Sequence, residues 1–127
     1  MSACLDAWAL IAMLTREPAP PRARDLIAGG GCAMSWINVG EVRYTQARRR
    51  PEEDVLLALS HLTGFIDLID VTGPRVMRAA ELKARSTVSY ADCFAATTAI
   101  ELRLPLATGD AGLLALDEPG LEVIDLR

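Results

Sequence analysis

Five apolar runs, each the length of a strand rather than a helix, leave this chain few folds to choose from. They are Ala3-Cys4-Leu5, Cys32-Ala33-Met34, Phe65-Ile66-Asp67-Leu68-Ile69, Leu104-Pro105-Leu106-Ala107 and the segment from Leu121 to Leu126. The stretches between them have helical composition or spacing. Ala7 to Leu14 is the first, broken by Thr15-Arg16-Glu17-Pro18. Pro20 to Ala28 is the next, with proline tolerated in its first turn and Gly29-Gly30-Gly31 ending it. Ser35 is an N-cap candidate for a long helix through Ile37, Val39, Val42 and Tyr44 toward Arg50. Pro51-Glu52-Glu53-Asp54 places acids in the first turn of another, where the helix dipole favours them, and that helix reaches Leu62. Thr72 to Ala84, Ser89 to Leu102 and Leu113 to Leu116 complete the set. Short strands alternating with helices predict one α/β domain over residues 1–127, a central, mainly parallel sheet flanked by helices in three α/β/α layers.

The chain's 127 residues, 51% of them hydrophobic, suffice for one domain with its own core and are too few for two. No apolar stretch approaches the roughly 20 residues that span a bilayer. The opening Met-Ser-Ala-Cys-Leu-Asp has no basic segment, and Asp6 comes too early for a signal peptide, so a cytoplasmic protein is expected. Cys4, Cys32 and Cys93 are odd in number, form no Cys-x-x-Cys, and read as buried free thiols. His61 is the only histidine, which leaves too few ligands for an ordinary zinc site or a histidine-pair nuclease.

Charge is distributed unevenly. Residues 1–50 hold seven arginines against four acids, a balance of +3, whereas residues 51–127 hold six basic residues against thirteen acids, a balance of −7. Arg48-Arg49-Arg50, with Arg43 one to two turns earlier, form a candidate basic face for phosphates. A solvated helix end with cations near its C-terminal dipole is the other reading of the same run.

Four acids stand at the edges of apolar runs, where carboxylates are uncommon unless paired or bound to a cation. They are Asp6, Glu41, Asp92 and Asp110. In an open parallel sheet, ligands bind beyond the carboxyl ends of the strands. Asp6 ends the first strand, and Asp110 follows another after a short turn. Asp92 falls in the first turn of one helix and Glu41 two turns into another. If these meet, their like charges raise one another's pKa and call for a cation such as Mg²⁺ or Mn²⁺. Three of the four also have a local explanation: Ser89 to Asp92 matches a capping box, Asp110 is placed to cap the next helix, and Glu41 fits an exposed face. A strand end, by contrast, rarely needs an acid such as Asp6.

Four sequence blocks carry a resemblance to a known family. Cys4-Leu5-Asp6-Ala7 with Ala9-Leu10, then Ile37-Asn38-Val39-Gly40-Glu41-Val42, then Ser89-Tyr90-Ala91-Asp92-Cys93-Phe94-Ala95-Ala96, and finally Leu106-Ala107-Thr108-Gly109-Asp110 occur in order and at similar spacing. Together they resemble the PIN-domain ribonucleases, most closely the VapC-type toxins of type II toxin–antitoxin pairs, over essentially the whole chain. The resemblance implies a metal-dependent endoribonuclease leaving a 5′-phosphate and a 3′-hydroxyl. Asp6, Asp92 and Asp110 would be the main ligands of one or two Mg²⁺ or Mn²⁺ ions. Glu41 would act directly or through water, and Asn38 and Thr108 would support the site. It also implies a small antitoxin that blocks the site, and a homodimer. Two departures stand out. Trp8 occupies a position where the family often has Ser or Thr, and Ala111-Gly112 follow Asp110 where it often has Pro and an acid.

Other acid-rich α/β enzymes fit less well. Aspartyl-nucleophile phosphatases need Asp-x-Asp after the first strand, where this chain reads Asp6-Ala7-Trp8. Phospho-receiver domains need a lysine near the last strand, whereas the sole lysine, Lys83, precedes Asp92. A PIN-like binding module without activity is the remaining alternative, with Trp8, Met13 and Trp36 as contact or core residues.

Overall fold

The computed structural model describes residues 2–127. Among them run five strands, β1 (Cys4–Leu5), β2 (Cys32–Ser35), β3 (Ile66–Ile69), β4 (Leu106–Thr108) and β5 (Val123–Asp125). Seven helices connect or follow them: α1 (Ala7–Thr15), α2 (Pro21–Ala28), α3 (Trp36–Ala47), α4 (Glu52–Thr63), α5 (Gly73–Arg85), α6 (Tyr90–Leu102) and α7 (Ala111–Leu114). The sheet order is β3-β2-β1-β4-β5 and every pairing is parallel. The expected three-layer architecture is therefore present, with the sheet wholly rather than mainly parallel.

Period-two alternation in the two central strands divides the core into two faces. Leu5 of β1 and Ala107 of β4 turn to a cluster with Leu10, Ala23, Ile27, Val42, Val55 and Leu59 from α1 to α4. Cys4 and Leu106, one residue earlier in each strand, turn to the opposite cluster with Ala79, Leu82, Phe94, Ala95, Ala99 and Leu113 from α5 to α7. Because both faces are covered, these strands read as continuous apolar runs rather than as alternating ones. The three cysteines are buried free thiols, as expected. Among the described residues, no helix is long and apolar enough to cross a membrane.

Chain order reverses at β1. From there the sheet grows through β2 and β3 on one side and through β4 and β5 on the other. Such a switch point opens a crevice at the carboxyl ends of the strands that flank it. Register places Leu5 beside Ala107, so one step further along brings Asp6 level with Thr108.

Three of the boundaries that differ from expectation have a clear local cause. The fourth strand begins at Leu106 rather than Leu104, because Arg103 takes a left-handed backbone (φ 55°) and Leu104 is spent closing α6 with an N–H to Ala99 O of 3.0 Å. Helix α3 stops at Ala47 instead of running to Arg50, and the N–H groups of Arg49 and Arg50 fold back onto Gln46 O at 3.0 and 3.1 Å. Helix α7 starts at Ala111, two residues before the expected Leu113, because Asp110 caps it.

Candidate active site

Asp6 sits where β1 hands over to α1. It occupies the N-cap position in an extended conformation, yet its side chain makes no capping bond. The residue is 2% exposed, and its carboxylate turns instead toward β4. Thr108 Oγ1 donates to Asp6 Oδ2 at 2.7 Å, while Oδ1 is buried without a partner. Burial raises the Asp6 pKa from 3.8 to about 7, opposed by the Thr108 hydroxyl and reinforced by the charges of Asp92 and Asp110.

Asp110 is tied to the same threonine. Its backbone N–H donates to Thr108 Oγ1 at 3.0 Å, and its Oδ2 accepts the N–H of Leu113 at 3.0 Å as the cap of α7. One oxygen thus serves the fold, as the capping reading expected. Capping does not exclude the site, because Asp110's charge reaches Asp6, Glu41 and Asp92 alike.

Asp92 lies in the first turn of α6, where Ser89 Oγ accepts its N–H at 3.1 Å. Ser89, not Asp92, is the cap residue. The carboxylate is left to the cleft, where burial raises its pKa, Asp110 adds to the rise, and hydrogen bonding from Ser89 opposes it. Glu41 reaches the cleft from α3 and is half-buried rather than exposed, with Oε1 buried and unpartnered. Burial raises its pKa, with Asp92 and Asp110 adding to the effect and Asn38 opposing it.

Asn38 explains how α3 and α6 come together. It is wholly buried, and its Nδ2 donates to Ala91 O, one residue before Asp92, at 2.9 Å. That bond holds the first turn of α6 against α3 and brings Asp92 within reach of Glu41. The charges of the four acids expected from sequence therefore reach one another beyond the carboxyl ends of β1 and β4. There Thr108 ties the Asp6 carboxylate to the Asp110 backbone, and Asn38 ties α3 to α6.

The donor set consists of carboxylate oxygens, two of them buried without partners, which fits a hard cation such as Mg²⁺ or Mn²⁺. Among the described residues, no three His, Cys, Asp or Glu side chains are drawn together into a ready-made cation cage.

The arginines divide. Arg43 Nη2 donates to Glu52 Oε1 at 2.6 Å, and its side chain lines an apolar groove with Trp36, Val39, Leu56 and Leu59 between α3 and α4. Arg48, Arg49 and Arg50 are exposed and form no ion pair among the described residues. Arg48 and Arg49 line a cavity of about 350 Å³ between α1 and α3 with Ile11, Thr15, Thr45 and Gln46.

Sequence reasoning missed the contact between Trp8 and Gly109. Gly109 separates Thr108 from Asp110, and a Cβ there would lie 2.2 Å from Trp8 Cζ2. The indole rests directly on the backbone that carries two of the site residues. Arg16, read from sequence only as part of the break after the first helix, places its Cζ 4.7 Å from the centre of the Trp8 ring. A glycine before Asp110 and a tryptophan after Asp6 were visible, but nothing in one dimension joins them.

Solved structures share this fold from end to end. DNA-bound VapBC from Salmonella typhimurium matches with a TM-score of 0.82 at 17% identity, covering 100% of this chain and 99% of that one. VapBC2 from Rickettsia felis, bound to a DNA fragment from its promoter, gives 0.79 at 17% identity with 100% of both chains covered. VapC20 from Mycobacterium tuberculosis, a sarcin–ricin loop cleaving toxin, gives 0.72 at 18% identity, covering 89% of this chain and 93% of that one. No curated protein matches the chain by sequence. The family model for the PIN domain matches residues 3–119, which span all four acids and the whole sheet except its last strand. This chain belongs to the PIN-domain family.

Proposed function

We propose that the chain is the toxin of a toxin–antitoxin pair and acts as an Mg²⁺- or Mn²⁺-dependent endoribonuclease. One observation carries the reading: carboxylates from four separate segments feel one another's charge near the sheet's switch point, with buried, unpartnered oxygens on Asp6 and Glu41. Asp6, Asp92 and Asp110 would hold the cation, and Glu41 would hold it directly or through water. When bound, a divalent cation activates water for attack and neutralises charge growing on a phosphodiester.

The protein's own groups do the positioning. Thr108 fixes one oxygen of Asp6 and the backbone of Asp110, which leaves the other Asp6 oxygen buried and without a partner. Asn38 sets the spacing of Asp92 from Glu41. The acids would otherwise repel an RNA phosphate, and a bound cation reverses the local potential. Arg48, Arg49 and Arg50 remain available to flanking phosphates, whereas Arg43 is engaged by Glu52. A small antitoxin covering the cleft, and a second copy of the chain, are the partners this reading expects in a cytoplasmic setting. Structures of VapBC complexes with the same fold support the first of these.

The test is incubation of purified protein with total RNA and Mg²⁺ or Mn²⁺. Cleavage is expected with either ion, leaving 5′-phosphate ends, and is expected to vanish with excess chelator and in Asp92→Asn. Cleavage that survives in the variant would overturn the assignment, as would cleavage that survives the chelator.

A further inference from the structure

We propose that Trp8 and Arg16 form a clamp for the RNA strand at the lip of the cleft, in which Trp8 is a positioning residue that presents the Arg16 guanidinium to a phosphate beside the scissile one. This inference rests on the endoribonuclease reading and adds to it two residues outside the acid quartet.

Trp8 lies in the first turn of α1, two residues after Asp6, and is only partly buried. Its six-membered ring is seated on Gly109, where a side chain would stand 2.2–2.5 Å from Cζ2, Cε2 and Cη2. Gly109 has no left-handed backbone to require glycine, so the residue is needed for space alone. The indole is therefore fixed to the turn between Thr108 and Asp110, at the mouth of the site.

Arg16 comes from the far end of the same helix, about 12 Å along its axis from Trp8. Its side chain runs back along α1 to place Cζ 4.7 Å from the ring centre, within cation–π range. Arg24, Arg43, Arg75, Arg78, Arg85 and Arg127 each pair with a carboxylate, but Arg16 forms no ion pair among the described residues. An aromatic face orients a guanidinium without neutralising it. The N–H edge remains free for the bidentate contact that arginine makes with phosphate.

The surface continues from there. Along α3, Glu41, Thr45 and Arg48 follow one another at i, i+4 and i+7, one stripe of the helix over about 10 Å. Thr45 and Arg48 line the cavity shared with Ile11 and Thr15 of α1. A strand that passes Glu41 can thus run over the seam of α1 and α3, with Arg16 at the end of α1 and Arg48 and Arg49 at the end of α3.

The experiment measures binding of a fluorescein-labelled single-stranded RNA 20-mer to Asp92→Asn protein in Mg²⁺ from 50 to 200 mM salt. Arg16→Ala is expected to reduce the slope of log affinity against log salt by about 0.7, the contribution of one phosphate on a single strand. Trp8→Ala removes no charge, yet is expected to lose the same increment, and the double variant no more than either single one. Trp8→Phe keeps an aromatic face and is expected to keep the parent slope; it also serves if Trp8→Ala does not fold. A parent slope in Arg16→Ala overturns the clamp and leaves the endoribonuclease reading standing. Weaker binding by Trp8→Ala at an unchanged slope likewise overturns it, because Trp8 would then act through packing alone. Failure of the parent protein to bind RNA at any salt overturns both.

Discussion

Asp6 is the residue whose chemistry the fold has altered most. At 2% exposure, with one oxygen bonded to Thr108 and the other to nothing, its carboxyl is more easily kept as an acid than as an anion. Its pKa is about 7 in the fold against an ordinary 3.8. Between those values the native protein holds a proton that the unfolded chain has lost. Stability is therefore greatest below the lower value and declines as pH rises through the upper one. A rise of that size corresponds to at most about 4 kcal/mol. Thermal unfolding in chelator should accordingly give a lower Tm at pH 8 than at pH 5, and Asp6→Asn should flatten most of that decline. Some slope is expected to remain, because Asp92 and Glu41 are shifted the same way. An equal decline in the variant would mean that Asp6 is ionised throughout.

At the scale of elements, the site depends on α3 and α6 meeting at one point, and Asn38 makes that meeting specific. Its bond to Ala91 O spans 53 residues of sequence and fixes the first turn of α6. Asn38→Ala removes this bond from a carbonyl that keeps its helical partner within α6, at a cost of about 0.5–1.5 kcal/mol. Loss of such a supporting bond typically lowers cation affinity or activity by about 10–100-fold. Urea denaturation and Mn²⁺ titration on the same variant check the two effects. Reduced stability with unchanged cation affinity would make Asn38 a structural tie only. The sequence was most legible where one residue acts on its neighbours. Ser35 and Ser89 cap α3 and α6 as their positions suggested, and Pro21 opens α2. It was less legible at Leu104 and Arg49, where ending one helix consumes residues that composition alone would give to a strand or to more helix. The Asn38–Ala91 and Trp8–Gly109 contacts were invisible, since neither leaves a periodic or local signal.

For the whole molecule, the acids set a conflict that a proton relieves at low pH and a cation would relieve at high pH. The sheet's switch point gathers Asp6, Glu41, Asp92 and Asp110 in a chain whose net charge is already −4, and three of them carry raised pKa values from burial and mutual repulsion. A cation that binds the native state and not the unfolded one stabilises by RT ln(1 + [L]/Kd), about 2.7 kcal/mol at a hundredfold excess over Kd. For a domain of this size that is roughly 10 °C in Tm. Protons compete for the same oxygens, so binding is weaker where Asp6 is still an acid. Mn²⁺ or Mg²⁺ is therefore expected to raise the Tm by more at pH 8 than at pH 5, and so to offset the decline that chelator exposes. In Asp92→Asn both the rise and its pH dependence should shrink. Differential scanning fluorimetry across pH and ion concentration reads all of these together. A rise of equal size at both pH values, or one preserved in Asp92→Asn, would place the bound ion elsewhere on the protein. It would also leave the four acids without the charge that their convergence requires.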